Sequence, residues 1–525
     1  MVVLKRPTYV ISTRPLSDRF QLEKGLIDRM TRQASNFELI LPPQPEDVPS
    51  FHWLRNAIRL EILSGSLSPG SRLPASRDLA RQYHLSRGTI LAALDELRAE
   101  GYLEARRGSG TYISKILPEH LLQSQRAVEK KANTAVQKQQ QHLSAFASRI
   151  RPFSFYVHPT STAFRTNLPA LDLFPTALWA EVAARRLRKA SMQSLLGCGP
   201  LGYLPLREAV ARYARSSRGV NCVADQVVIV SGIQEGLDLT ARLFLDPGDK
   251  VLVEDPGYQG AYAALRAAGA ELIPARLDAE GAAPKESDFR NCRLLYVTPG
   301  HQFPMGTTMS LRRRLELLAW AHKYETVIFE DDYDSEFRFS GRPVPAMQGL
   351  DRGGRVIFGG SYNKVLFPSL RLGYLILPLD LIDVYANAKA LTLRHYPLLD
   401  QAVLCDFIEQ GHFGRHLRRM RKTYGERLSV LLECGRMYLG EYLELSNIEA
   451  GVQTIGLLRN NMSAETVAQR AAMENIDVVP LSRYCCSTSI AEGLQLGFAA
   501  VHEKEIRAAV LKLARIFQVL KSECA

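Results

Sequence analysis

The chain has 525 residues, 46% hydrophobic and 23% charged, with a formal net charge of +12. At roughly 100–200 residues per domain it holds several folded units, and its balance excludes a fibrous or wholly disordered chain. No apolar run approaches the about 18 residues that span a bilayer, and residues 1–14 lack a signal-peptide core, so a cytoplasmic protein without membrane contact is expected.

The charge is unevenly placed. Residues 1–151 hold 23 Lys/Arg against 14 Asp/Glu, whereas residues 152–525 hold 43 against 40. A basic N-terminal third suits a polyanionic partner. Eight cysteines are scattered without C-x-x-C spacing, which argues for reduced thiols and against a zinc site or disulfide framework.

Residues 1–35 show no periodicity, and 1–50 read as an N-terminal extension. From Trp53 apolar residues fall at helical spacing up to Gly65, and Ser68-Pro69-Gly70 is a turn. A short helix opens at Leu73-Pro74-Ala75-Ser76-Arg77. A third starts after Ser86, a candidate N-cap, with Ile90, Ala93, Leu94 and Leu97 on one face and Gly101 as its stop. Two strands, 102–105 and 111–114, flank the basic tip Arg106-Arg107-Gly108-Ser109-Gly110. This order is a winged helix-turn-helix over 51–115. The strings Gly65-x-Leu67-x-Pro69-Gly70-x-Arg72-Leu73-Pro74-x-Ser76-Arg77, Leu85-Ser86-Arg87 and Glu100-Gly101-Tyr102-Leu103 resemble the GntR DNA-binding domain. The resemblance implies that Arg77, Ser86, Arg87 and Thr89 face operator DNA, with Arg107 and Gly108 at the wing tip. Gly88 stands where a bulkier polar residue is usual.

Residues 116–163, rich in Gln, Lys and Ala, read as a solvated linker. Beyond 164, short β-branched runs at 227–230, 251–253, 294–297, 327–329, 356–358 and 372–377 alternate with helical stretches at 236–245, 260–268 and 311–324. Alternation of this kind predicts a mostly parallel sheet with helices on both faces, whose ligands gather at the carboxyl ends of the strands. Residues 415–520 read as a small α+β subdomain ending in an amphipathic helix, 503–520.

Several segments at those strand ends carry chemistry. Ser231-Gly232-Ile233-Gln234 opens a helix whose free N–H groups suit a phosphate. Glu254-Asp255-Pro256-Gly257-Tyr258 follows one strand and Glu330-Asp331-Asp332-Tyr333 ends another. The stretch Gly360-Ser361-Tyr362-Asn363-Lys364-Val365-Leu366-Phe367-Pro368-Ser369-Leu370-Arg371-Leu372-Gly373-Tyr374 places one lysine in a loop between two apolar strands. A lysine there forms a Schiff base once its pKa is lowered, and Ser361 and Arg371 offer donors to a phosphate.

In this order the segments resemble the pyridoxal-phosphate site of fold-type I aminotransferases, in the form found in the MocR/GabR-like branch of GntR regulators. The resemblance covers about residues 53–520. It implies a multidomain protein: an N-terminal winged helix-turn-helix, and over 164–525 an α/β aminotransferase fold of type I that binds cofactor and effector and dimerises. It further implies pyridoxal 5'-phosphate on Lys364 as an internal aldimine, with Asp331 on the pyridine nitrogen and Tyr333 on the phenolic oxygen. Tyr258 would stack on the ring, and Gly232, Ile233, Gln234, Ser361 and Arg371 would hold the phosphate. Arg483, then Arg207, are the candidate effector-binding arginines, since Leu496-Gly497-Phe498-Ala499 lacks one. Two positions depart from the pattern: Phe303 replaces the usual asparagine, and Cys198 falls where a tyrosine reaches the partner's phosphate. The implied function is transcriptional regulation, with a small amine, amino acid or the cofactor itself as effector and a head-to-tail homodimer as the assembly. The alternative is an active aminotransferase carrying a DNA-binding domain.

Overall fold

The computed structural model describes residues 39–45, 47–106, 110–115, 142–150, 162–341, 344–459, 462–487 and 490–524. The chain divides into two compact units, Met1–Gln141 and His142–Ala525.

In the first unit, α1 (Ser50–Leu63) buries Trp53, Leu54, Ala57, Ile58 and Ile62, one stripe of an amphipathic helix. It packs with α2 (Ser76–Gln82) and α3 (Arg87–Ala99), which buries Ile90, Ala93, Leu94 and Leu97. Each fully buried Leu or Ile contributes about 1.5–3 kcal/mol, so this small core rests on few side chains. Strands β1 (Leu103–Arg106) and β2 (Gly110–Ile113) form an antiparallel hairpin from Leu103↔Ile113 to Arg106↔Gly110. The end of the extension docks here as well: the Trp53 indole donates to the Pro42 carbonyl at 3.0 Å and Gln82 Nε2 to that of Leu39 at 2.6 Å.

The second unit begins earlier than expected from the sequence. Within the segment read as linker, α4 (Ala145–Arg149) is capped by Ser144, and Arg149 Nε donates to the Ala267 carbonyl at 3.0 Å. Its eight-stranded sheet comprises β3 (Val227–Val230), β4 (Lys250–Asp255), β5 (Glu271–Asp278), β6 (Gly281–Ala282), β7 (Cys292–Val297), β8 (Val327–Asp332), β9 (Val356–Ser361) and β10 (Gly373–Ile376), in the order β3-β10-β9-β8-β7-β4-β5-β6. Strands β5, β4, β7, β8 and β9 are mutually parallel. The edge strand β6 runs against β5, and β10 runs against both β9 and β3, so the expected mostly parallel sheet holds with one reversed edge strand and one reversed internal strand, β10. That reversal makes the β9–β10 connection a loop at the carboxyl end of β9. It brings the start of β10 to the same edge as the ends of β3, β4 and β8.

Separate hydrophobic clusters cover the sheet, one including Val228, Val230, Val253, Tyr296 and Phe329 and another including Leu252, Leu295, Val297 and Ile328. This alternation along shared strands is that of a sheet buried on both faces. Helices α5 (Leu204–Arg218), α6 (Ile233–Phe244), α7 (Gln259–Ala268) and α8 (Leu311–Lys323) supply the cover. A smaller antiparallel sheet follows, built from β11 (Leu443–Leu445), β12 (Gln453–Leu458), β13 (Val479–Pro480) and β14 (Gly493–Gly497) in the order β11-β12-β14-β13. Helices α9 (His412–Tyr438), α10 (Ala464–Met473) and α11 (Glu503–Cys524) complete the expected α+β subdomain. Among the described residues no helix is long and apolar enough to cross a membrane.

Candidate functional site

The β9–β10 loop places Lys364 where the large and small sheets meet. Its Nζ donates to Asn167 Oδ1 at 2.9 Å and lies 4.4 Å from the centre of the Tyr333 ring and 5.7 Å from that of Phe303. Part of its surface stays accessible, yet protein atoms crowd it. This desolvation lowers its pKa, against the Asp331 and Asp334 carboxylates, which raise it. A lowered pKa favours the neutral, nucleophilic amine.

Asp331, on β8, is 4% exposed. Burial pushes its carboxyl up to about 7, opposed by the Tyr296 hydroxyl and the Lys364 charge. Tyr296 donates to Oδ2 at 2.8 Å, and Oδ1 has no partner among the described residues. A buried carboxylate oxygen left open in this way fits a protonated ring nitrogen. The Tyr333 hydroxyl lies 3.1 Å from His301 Nδ1, which is 2.9 Å from Asp334 Oδ1. Burial, then the Asp334 and Asp331 charges, hold the Tyr333 phenol protonated well above its usual range.

Tyr258, at the head of α7, donates to Gln234 Oε1 at 3.2 Å and meets the Phe303 ring edge-on at 5.9 Å. Glu254 is fully buried, and its Oε2 accepts from Gln302 Nε2 at 3.2 Å and from Thr298 Oγ1. Burial pushes this carboxyl to about 7 as well.

The residues expected around a phosphate lie close together. Gly232 has φ +142°, and a Cβ there would stand 2.7 Å from Asn363 Nδ2, so only glycine suits the turn. Asn363 staples the lysine loop to this turn: its Nδ2 donates to the Ser231 carbonyl at 2.8 Å, and its Oδ1 accepts from Leu372 N at 2.9 Å. Arg371 reaches Ser231 Oγ at 3.4 Å, and Ser361 is buried at the end of β9. The Ser231 N–H is taken by Glu235 Oε2 at 2.6 Å. The N–H groups of Gly232, Ile233 and Gln234 therefore open the helix toward an anion.

The two candidate effector arginines are placed elsewhere. Arg483 is more than half exposed and pairs with Glu465 at 2.6 Å. The next residue, Tyr484, is the one that turns inward, against Phe303 at 5.0 Å. Arg207 donates to the Val227 carbonyl at 2.9 Å and, with Cys198, lines a cleft of about 570 Å³. Asn167, Tyr296, His301 and Asn363 were not singled out from the sequence. Asn363 lies within the lysine string, and Asn167 carries a local signal as an asparagine before Leu168-Pro169; its φ of +62° is one that Asn tolerates better than most residues.

In the winged helix, Ser86 Oγ accepts from Thr89 N at 3.0 Å and lies 2.8 Å from Thr89 Oγ1. Arg77 and Arg87 are exposed at the starts of α2 and α3, with no carboxylate partner among the described residues. Nearby Arg55, Arg81 and Arg98 pair with Glu96, Asp78 and Asp95. Arg77 and Arg87 are thus among the exposed cations open to an external anion. Arg107 and Gly108 lie outside the described residues; Arg106 and Gly110 pair at the base of that tip.

Two family models match: bacterial regulatory proteins of the gntR family over residues 54–113, and aminotransferase class I and II over residues 162–513. Fold and site thus define a class, a winged-helix regulator fused to an aminotransferase-type domain. The chain is 38% identical over 481 residues to the probable rhizopine catabolism regulatory protein MocR of Rhizobium meliloti, covering 91% of this chain and 96% of that one. It is 30% identical to the pyridoxine biosynthesis transcriptional regulator PdxR of Corynebacterium glutamicum, covering 89% and 95%. The chain belongs to the MocR-like transcriptional regulators of the GntR family. Its second unit is similar to LysN, the alpha-aminoadipate aminotransferase of Thermus thermophilus, with a TM-score of 0.65, 28% identity and coverage of 72% of this chain and 98% of that one.

Proposed function

We propose that the second unit holds pyridoxal 5'-phosphate on Lys364 and senses a small amine, amino acid or the cofactor itself, and that occupancy changes operator binding by the winged helix. One observation carries this reading: a lysine amine of lowered pKa and an unpartnered carboxylate oxygen of Asp331 stand in one chamber beside an anion cradle. When bound, the cofactor supplies a carbonyl that bonds reversibly with amines and a ring that withdraws electrons. Asp331 would hold the ring nitrogen's proton and Tyr333 would donate to the phenolic oxygen. Tyr258 would cover the ring face. Arg371, Ser361 and the N–H groups of Gly232, Ile233 and Gln234 would hold the phosphate. Asn167 orients the lysine amine from the side of the small sheet. A head-to-tail homodimer belongs to the proposal, supported by Met192, Leu195, Leu196 and Leu391, each about four-fifths exposed or more.

The test is operator affinity measured by anisotropy, with a duplex selected from a random pool, before and after adding pyridoxal 5'-phosphate to stripped protein. Wild type is expected to shift and Lys364→Ala to shift less or not at all. Equal shifts in both would remove Lys364 from the signal.

A further inference from the structure

Two buried carboxamides on the small sheet face the lysine chamber. In the β12–β14 ladder Gln453 stands opposite Gly497, and Gln495 opposite Ile455. Side chains alternate along a strand, so Gln453, Ile455 and Gln495 share one face, on which diagonal neighbours lie about 7–8 Å apart. Ile455 packs with Phe303, Tyr333 and Tyr484, and Lys364 Nζ lies over the first two of those rings. The shared face therefore borders the chamber.

Both glutamines are buried, at 3% and 0% exposure. Gln453 Oε1 accepts from Asn167 N at 2.8 Å, and Asn167 is the residue that receives Lys364. Gln495 Oε1 accepts from the Tyr484 hydroxyl at 2.7 Å. With the carbonyls engaged, each amide presents its NH₂, and neither Nε2 has a partner among the described residues. Buried donors without partners are rare and costly, so a pair on one face needs an explanation.

We propose that Gln453 and Gln495 are the effector-specificity residues, and that the effector is a small primary amine bearing neutral oxygen acceptors, hydroxyl or carbonyl, in place of a carboxylate. The proposal rests on the reading that Lys364 carries the cofactor. Carboxamides donate hydrogen bonds but bring no charge. A carboxylate entering here would lose its water among the buried acidic side chains of Glu254, Asp331 and Asp334, a desolvation cost that neutral N–H donors offset only in part. The arginines named above for this role are engaged, Arg483 with Glu465 and Arg207 with Val227 and Asp225. A neutral oxygen accepts the same N–H bonds at a smaller desolvation cost.

Paired probes that keep one amine and carbon skeleton test this: L-leucinol and L-leucinamide against L-leucine, and ethanolamine and glycinamide against glycine. Full-length, cofactor-loaded protein is titrated by calorimetry and visible absorbance. The neutral probes are expected to bind at least about tenfold tighter than their acids, the scale of one hydrogen bond. Gln495→Met should weaken the neutral probes by about the same factor, and Gln495→Arg should reverse the preference. Acids binding as tightly as the neutral probes, neutral probes failing to bind, or Gln495→Met changing nothing would each overturn the assignment. Borohydride reduction of the same cofactor-loaded protein before any probe is added separates the two readings: label absent from Lys364 sinks the cofactor reading, whereas labelled Lys364 with an acid preference sinks only the subsite.

Discussion

Asp331 is held near neutrality by its surroundings, and this has a consequence for the stability of the cofactor-free protein. Its folded pKa, about 7, lies above the roughly 3.9 of an unperturbed aspartate. Between these values the folded chain keeps a proton that the unfolded chain releases, so stability falls as pH rises through that window. Glu254, Glu330 and Glu336, also raised to about 7 by burial, act in the same direction. Thermal unfolding of stripped protein should give a lower Tm at pH 7.5 than at pH 5. Asp331→Asn removes one contributor and should flatten the slope. A wild-type Tm that rises over this interval, or an unchanged slope in the variant, would contradict the assignment of the burial.

At the scale of elements, Ser86 joins two roles in one side chain. It caps α3, and truncating such a cap costs about 0.5–2 kcal/mol. Ser86→Ala should therefore lower the stability of the winged helix by about that amount. Ser86→Asp keeps a cap acceptor but adds a negative charge where a phosphate backbone would approach. It should retain most of the stability and lose DNA affinity. Chemical denaturation together with anisotropy on duplex DNA distinguishes the two. If both variants bind DNA like wild type, α3 does not begin at the interface. The lysine loop has a comparable constraint. A Cβ at Gly373 would stand 2.8 Å from the Gly360 carbonyl and 3.0 Å from Gly232 Cα, so it presses on β9 and the anion turn together. Gly373→Ala should cost roughly 1–3 kcal/mol, as overpacking does, and weaken cofactor retention; a neutral effect in denaturant titrations would show that these strands can part.

The winged helix and the strand–helix alternation were legible because burial repeats at the period of each element. The strands β3, β4, β7, β8 and β9 are apolar runs bounded by turns. The lysine loop and the 330–333 segment were legible as strings. The reversal of β10 was not, since an apolar run has no direction on paper. Asn167, Gln453 and Gln495 were missed because their meaning comes from the small sheet closing over the large one. A glutamine in a strand gives no local sign of the chamber it borders. The orientation of Arg483 was illegible for a related reason: the arginine lies at the surface against Glu465, and its neighbour Tyr484 packs inward against Phe303.

At the scale of the whole molecule, the proposed function assigns DNA binding to the first unit and effector sensing to the second. Non-specific DNA affinity comes from charge, and the basic excess sits in residues 1–151. Lys364→Ala should leave that affinity, and its fall with salt, nearly unchanged. A loss of non-specific binding in Lys364→Ala would show that the units depend on each other for more than signalling. Linkage also requires that operator DNA change the apparent affinity for the effector by the factor with which the effector changes affinity for DNA. The most direct test of the central claim is borohydride reduction of the cofactor-loaded chain followed by peptide mass mapping. The expected result is a pyridoxyl mass on the peptide containing Lys364, lost in Lys364→Ala; label on another lysine, or on none, would contradict it.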